Sequence, residues 1–194
     1  MASAVRTPPS AEPHPARELA VDTASLYRAH AKTVARWAAR LGGPAIDPND
    51  VVQEVFLVAQ RRLLDFEDRG GQITTWLFRT TEKVVQTARR KHRLRGWLAR
   101  WTGAGTPGLA SAGPGPGEAL ERRQEIERVY RVLDRLPDKQ RKVLVLFELE
   151  ELSTQQIADL IGARLGTVRV WLFRARARFV ELHAELQADE EQGR

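Results

Sequence analysis

Two stretches of the chain carry arginine and lysine with no acid among them. Lys83 to Gly117 holds seven basic residues: Lys83, Arg89, Arg90, Lys91, Arg93, Arg95 and Arg100. Arg164 to Val180 holds five arginines. Solvated helix faces ordinarily mix signs, so blocks of one sign point to a polyanion, and the net charge of +6 agrees. In the second block the residues also fall in a pattern. At roughly 100° per residue, Gly166, Arg169, Val170, Phe173 and Arg174 share one side of a helix, with Thr167 at its N-terminal end. Val168, Trp171, Leu172, Ala175 and Phe179 share the other side. A helix of this kind enters a DNA major groove: Arg169 suits a guanine edge, Val170 suits a thymine methyl, Phe173 suits a thymine methyl or a protein partner, and Arg164 and Arg174 suit phosphates.

Such a helix needs a partner to hold it, and the preceding residues supply one. Ser153-Thr154-Gln155-Gln156 reads as a capping box, Ala158 allows close approach of two helices, and Gly162 permits the turn between them. Residues 154–173 are therefore expected to form a helix-turn-helix.

Catalytic chemistry has no comparable support. There is no cysteine, which excludes disulfides and thiolate zinc sites and fits a reducing cytoplasm. His14, His30, His92 and His183 are scattered without metal-ligand spacing. Asp65, Glu67 and Asp68 read as a solvated acidic loop, and Gly70-Gly71 lacks the Lys-Ser/Thr that follows in a phosphate loop. Expected, then, are no catalytic residues, no metal, no cofactor and no small-molecule substrate. No apolar run reaches the eighteen or so residues of a membrane span, so no direct membrane insertion is expected.

The elements that position these groups read as helices throughout. Leu26, His30, Thr33, Val34, Trp37 and Leu41 recur at three and four, and Gly42-Gly43-Pro44 ends that helix. Asp47 reads as an N-cap with Pro48 at the first helical position and Asp50 in the first turn, followed by the stripe Val52, Val55, Phe56, Ala59 and Leu63. A loop over 65–72 precedes a helix from Ile73 through Trp76, Leu77, Thr80, Val84 and Ala88. Trp101 to Gly117 is uncharged and dominated by Gly, Pro and small residues, as a linker is. Beyond it come helices over 118–136 and 138–150. The fold class is all-α: a lead-in over 1–20 expected to be disordered, a domain over 21–98, a flexible linker over 99–117, a domain over 118–186, and a disordered tail over 187–194. With such a linker, the two domains are expected to move independently.

Asp50-Val51-Val52-Gln53-Glu54-Val55-Phe56, Trp76-Leu77-Phe78-Arg79 and Arg89-Arg90-Lys91 together resemble the second region of extracytoplasmic-function sigma factors, members of the sigma-70 family. Leu136-Pro137-Asp138-Lys139-Gln140-Arg141, Leu152-Ser153, Ile157-Ala158 and Gly166-Thr167-Val168-Arg169 through Arg176 resemble their fourth region. The resemblance spans residues 26–183, in order. It implies that Asp50, Gln53 and Glu54 contact core RNA polymerase, and that Trp76, Arg79, Thr80, Lys83, Arg89 and Arg90 open and read the −10 element of promoter DNA. It assigns the −35 element to Arg164, Thr167, Arg169, Val170, Phe173 and Arg174. It also implies control by an anti-sigma factor and a cytoplasmic location for the chain. Two departures stand out: Lys83 replaces a common Asn, and Val170 to Phe173 is apolar where the family carries a polar, basic run. The alternative is a helix-turn-helix regulator that acts as a dimer without being a polymerase subunit.

Overall fold

Asp47 caps the second helix as its residue type dictates. Its Oδ1 accepts the Asn49 N–H at 2.8 Å, its carbonyl accepts from Val51, and Pro48 fills the first helical position, where no N–H is needed. The computed structural model describes residues 23–67, 72–102 and 118–192. Seven helices make up the described part: α1 (Thr23–Gly42), α2 (Pro48–Glu67), α3 (Ile73–Thr102), α4 (Glu118–Leu133), α5 (Asp138–Glu148), α6 (Thr154–Ile161) and α7 (Leu165–Gln192). The lead-in over 1–20 and most of the linker lie outside the described residues.

Helices α1 to α3 close around Val34, Trp37, Val55, Leu77 and Phe78, with the Trp37 and Phe78 rings edge to face at 5.2 Å. Val52, Phe56 and Ala59 are buried as their spacing predicts. In the second half, α4 to α7 bury Val132, Val143, Leu146, Ile157, Val168 and Leu182.

Several boundaries move. Helix α2 continues through Glu67, where a loop was expected from Asp65, and α3 runs on to Thr102, inside the expected linker. The tail expected to be disordered from 187 is helical as far as Gln192. Ion pairs to α4 and to the turn after it hold it: Arg128 and Arg131 on α4 reach Glu190 at 3.1 and 3.0 Å, and Arg135 in the turn reaches Glu185 at 2.7 Å. Leu182 is buried below them.

The two halves, expected to move independently of each other, lie against one another in this structure. The last turn of α1 leaves carbonyls without helical partners, and the C-terminal half supplies the donors. Arg141 Nη1 donates to the Leu41 carbonyl at 2.7 Å, and the Tyr130 hydroxyl donates to that of Arg40 at 3.0 Å. Glu150 pairs with Arg36 and Arg40 at 2.8 and 3.1 Å. Arg89 on α3 binds Asp134 at 2.6 Å, and Lys142 binds Glu82. A linker's composition says nothing about the surfaces at its two ends. Here those surfaces are complementary in charge.

Candidate functional site

The helix-turn-helix forms as its sequence prescribes. Ser153 Oγ accepts the Gln156 N–H at 3.2 Å while Gln156 Oε1 accepts the Ser153 N–H at 2.9 Å, so both halves of the capping box are made. Gly162 ends α6 at φ 67°, a left-handed conformation that suits glycine. Ile157, Ala158, Val168, Leu172 and Ala175 are buried between the helices and their support. Trp171 is half-buried with the Lys139 ammonium 5.3 Å from its ring centroid.

The opposite side of α7 is open. Arg164, Gly166, Arg169, Val170, Phe173 and Arg174 are all exposed, and Thr167 is half-buried at the helix start. Phe173 is 76% exposed, an unusual state for a large aromatic. Four of these residues, Arg169, Val170, Phe173 and Arg174, lie at i, i+1, i+4 and i+5, so a single groove-sized face carries two cations and two apolar tips.

The residues of α3 are distributed less evenly. Arg79, Lys83 and Arg90 are exposed, whereas Trp76 and Thr80 are half-buried, with the Thr80 hydroxyl donating to the Trp76 carbonyl at 2.9 Å. Arg89 does not join them. It is 9% exposed and committed to Asp134, so the structure places it in the packing between the halves, not on the basic face. The acid-free run around Arg89 concealed this, because its acidic partner lies 45 residues away. On α2, Asp50, Gln53 and Glu54 are exposed beside the buried stripe, as the helical spacing requires, and Leu57 is exposed one turn on.

Sequence reasoning missed the polar cluster around Arg141, which is 3% exposed. Burial pushes its guanidinium down to about 10, and repulsion from Arg89 adds to this against the attraction of Asp134. Nε and Nη2 lack hydrogen-bond partners among the described residues, although Asp134 Oδ1 lies 3.3 Å from Nε. A signal was present. On α5, Arg141 shares one face with the buried Leu144 and Val145, and a cation on an apolar face needs a partner from elsewhere.

Groups able to hold a metal ion are absent among the described residues, and no described helix is long and apolar enough to cross a membrane. Comparison with known proteins matches residues 26–95 to Sigma-70 region 2 and residues 126–179 to Sigma-70 region 4. The chain is 32% identical over 170 residues to the RNA polymerase sigma factor CnrH of Cupriavidus metallidurans, covering 86% of this chain and 87% of that protein. It is 32% identical over 152 residues to the ECF RNA polymerase sigma factor SigE of Mycolicibacterium smegmatis, covering 78% of this chain and 57% of the relative. Among solved structures, CnrH in complex with the cytosolic domain of CnrY aligns with a TM-score of 0.55 at 27% identity, over 86% of this chain and 88% of that one.

Proposed function

The chain belongs to the sigma-70 family of RNA polymerase sigma factors, in its extracytoplasmic-function group, and we propose how its surfaces divide the work. As a transcription initiation factor, it binds core polymerase and directs it to promoters. The exposed edge of α2, Asp50, Gln53 and Glu54, docks on the polymerase. Trp76, Arg79, Thr80, Lys83 and Arg90 on α3 hold the melted −10 strand, where cations track phosphates and an aromatic ring stacks a base. The open face of α7 reads the −35 duplex through Arg169, Val170 and Phe173, with Arg164, Thr167 and Arg174 on the backbone.

The observation that carries this reading is the α7 face itself, with two arginines and two apolar side chains exposed on a helix whose other side packs Val168, Leu172 and Ala175 into the core. CnrH has been solved with the cytosolic domain of CnrY, which supports a proteinaceous anti-sigma partner and a cytoplasmic site of action for this chain. Run-off transcription tests the function. Core polymerase supplemented with this chain is expected to start at a defined position on the DNA upstream of its own gene. Initiation no different from core alone, on that template and on random genomic fragments, contradicts the assignment.

A further inference from the structure

Helix α3 runs on past the core it helps to build. Val85 and Arg89 are its last buried residues among those described, yet it stays helical to Thr102. Every residue from Arg90 to Leu98 is exposed except the half-buried Gly96. Helices in proteins are stabilised mainly by burying an apolar face, and this stretch has such a face without burying it. Leu94, Trp97 and Leu98 follow at i, i+3 and i+4 and are 57%, 52% and 44% exposed. At about 100° per residue they span roughly 100° of the circumference. Arg93 stands on one side of this stripe, Arg95 and Lys91 stand on the other, and Arg90 continues the line of Leu94 one turn earlier. Residues 83–117 contain no acid, so nothing on the segment itself offsets the charge.

A partner for this face has to meet cations and bury apolar tips at the same place. Nucleic acid answers the cations with phosphates, and a base can stack on Trp97, but the two leucines stay in water. An anionic lipid surface answers all of them. Its headgroups take Arg93, Arg95 and Lys91, whose long stems reach outward from the stripe. The Trp97 ring suits the boundary between headgroups and chains, and Leu94 and Leu98 enter the apolar layer beneath. Residues 90–102 rise only about 20 Å along the helix axis, against a hydrocarbon core of about 30 Å. The segment therefore fits in the plane of a bilayer surface and not across it, and no described helix is long and apolar enough to span a membrane.

We infer that the far end of α3, residues 90–98, is an amphipathic anchor that holds the chain reversibly on an anionic phospholipid surface. Leu94, Trp97 and Leu98 supply the apolar contact, and Lys91, Arg93 and Arg95 supply the attraction to the headgroups. The anchor does not depend on the roles proposed above for α2 and α7.

Cosedimentation of the full chain with vesicles tests this, using two parts phosphatidylcholine to one part phosphatidylglycerol, and phosphatidylcholine alone. The parent is expected to bind the mixed vesicles and not the neutral ones. Arg93→Gln with Arg95→Gln is expected to bind roughly thirtyfold more weakly, about fivefold for each charge. Leu94→Gln with Leu98→Gln keeps every charge and is expected to bind at least about tenfold more weakly. That pair separates an anchor from plain adsorption of a chain with net charge +6. Arg61→Gln with Arg62→Gln, exposed on α2, removes as much charge from elsewhere and is expected to stay within about threefold of the parent. All the altered side chains are exposed, and far-UV dichroism checks that each variant folds. Anisotropy with labelled oligo(dT) is the second readout, in which the leucine variant is expected to match the parent. A leucine variant that binds the mixed vesicles like the parent, or that loses oligo(dT) in step with lipid, overturns the inference. So does a parent that stays off the mixed vesicles, whether this face then takes oligo(dT) or a second copy of the chain.

Discussion

Arg141 donates a 2.7 Å hydrogen bond to the carbonyl of Leu41, 100 residues earlier, and so caps the last turn of α1 from the other half of the chain. The cation also complements the negative end of the helix dipole. Arg141→Ala leaves that carbonyl buried without a donor and is expected to cost about 1–3 kcal/mol in urea unfolding. Arg141→Met is expected to cost less, because it removes the undercompensated charge while keeping the volume.

Tyr130 makes the neighbouring cap, and its titration gives a pH signature. Burial raises its pKa above the ordinary 10.0, with Arg141 and Arg40 opposing. The folded state thus holds the phenolic proton more tightly than the unfolded state does. The resulting stability is fully present below pH 10 and is lost as pH rises through the folded value. Comparing the parent with Tyr130→Phe removes the titrations that do not feel Tyr130 and leaves the phenol with its coupled neighbour Arg141. The advantage of the parent is expected to be constant from pH 7 to 9 and to shrink above 10, as measured by chemical denaturation at each pH.

Ser153 is exposed yet anchors α6 through both halves of the capping box. Ser153→Ala is expected to lower stability by about 1 kcal/mol and to weaken binding to −35 duplex by displacing the turn before α7. Ser153→Asp keeps an acceptor and is expected to restore both, with thermal unfolding and anisotropy as the checks.

On the exposed face of α7, stability and recognition separate. Phe173→Ser is expected to change stability by less than about 0.5 kcal/mol, since Phe173 is largely exposed. It is nevertheless expected to weaken promoter binding. Arg169→Ala is expected to cost about 1–3 kcal/mol and to relax preference at one upstream base pair. Selection from a randomised duplex pool, with polymerase present, distinguishes this from a uniform loss.

Most of the fold was legible because it depends on local rules. Asp47-Pro48, the Ser153 to Gln156 box and the turn at Gly162 declare themselves within four or five residues, and the stripes Val52 to Ala59 and Val168 to Ala175 follow helical spacing. The exposed faces of α2 and α7 follow from those stripes by elimination. The docking of the halves was not legible, because Arg89–Asp134, Lys142–Glu82 and Glu150–Arg36 join residues 45 to 114 positions apart. Charge counting failed at Arg89 for the same reason: a basic run looks free until its distant acid is placed. The tail beyond 187 was misread because its support comes from α4, through Arg128 and Arg131.

The central claim is that this chain joins core RNA polymerase through the exposed edge of α2. Gln53→Ala with Glu54→Lys alters side chains that contribute nothing to the buried stripe, so unfolding of the variant should match the parent. The decisive measurement is fluorescence anisotropy of the chain, labelled at Val180→Cys, titrated with core polymerase. The parent is expected to bind saturably, and the double variant to bind at least about tenfold more weakly, a loss of roughly 1.4 kcal/mol. A parent that fails to bind, or a variant that binds like the parent, contradicts the account.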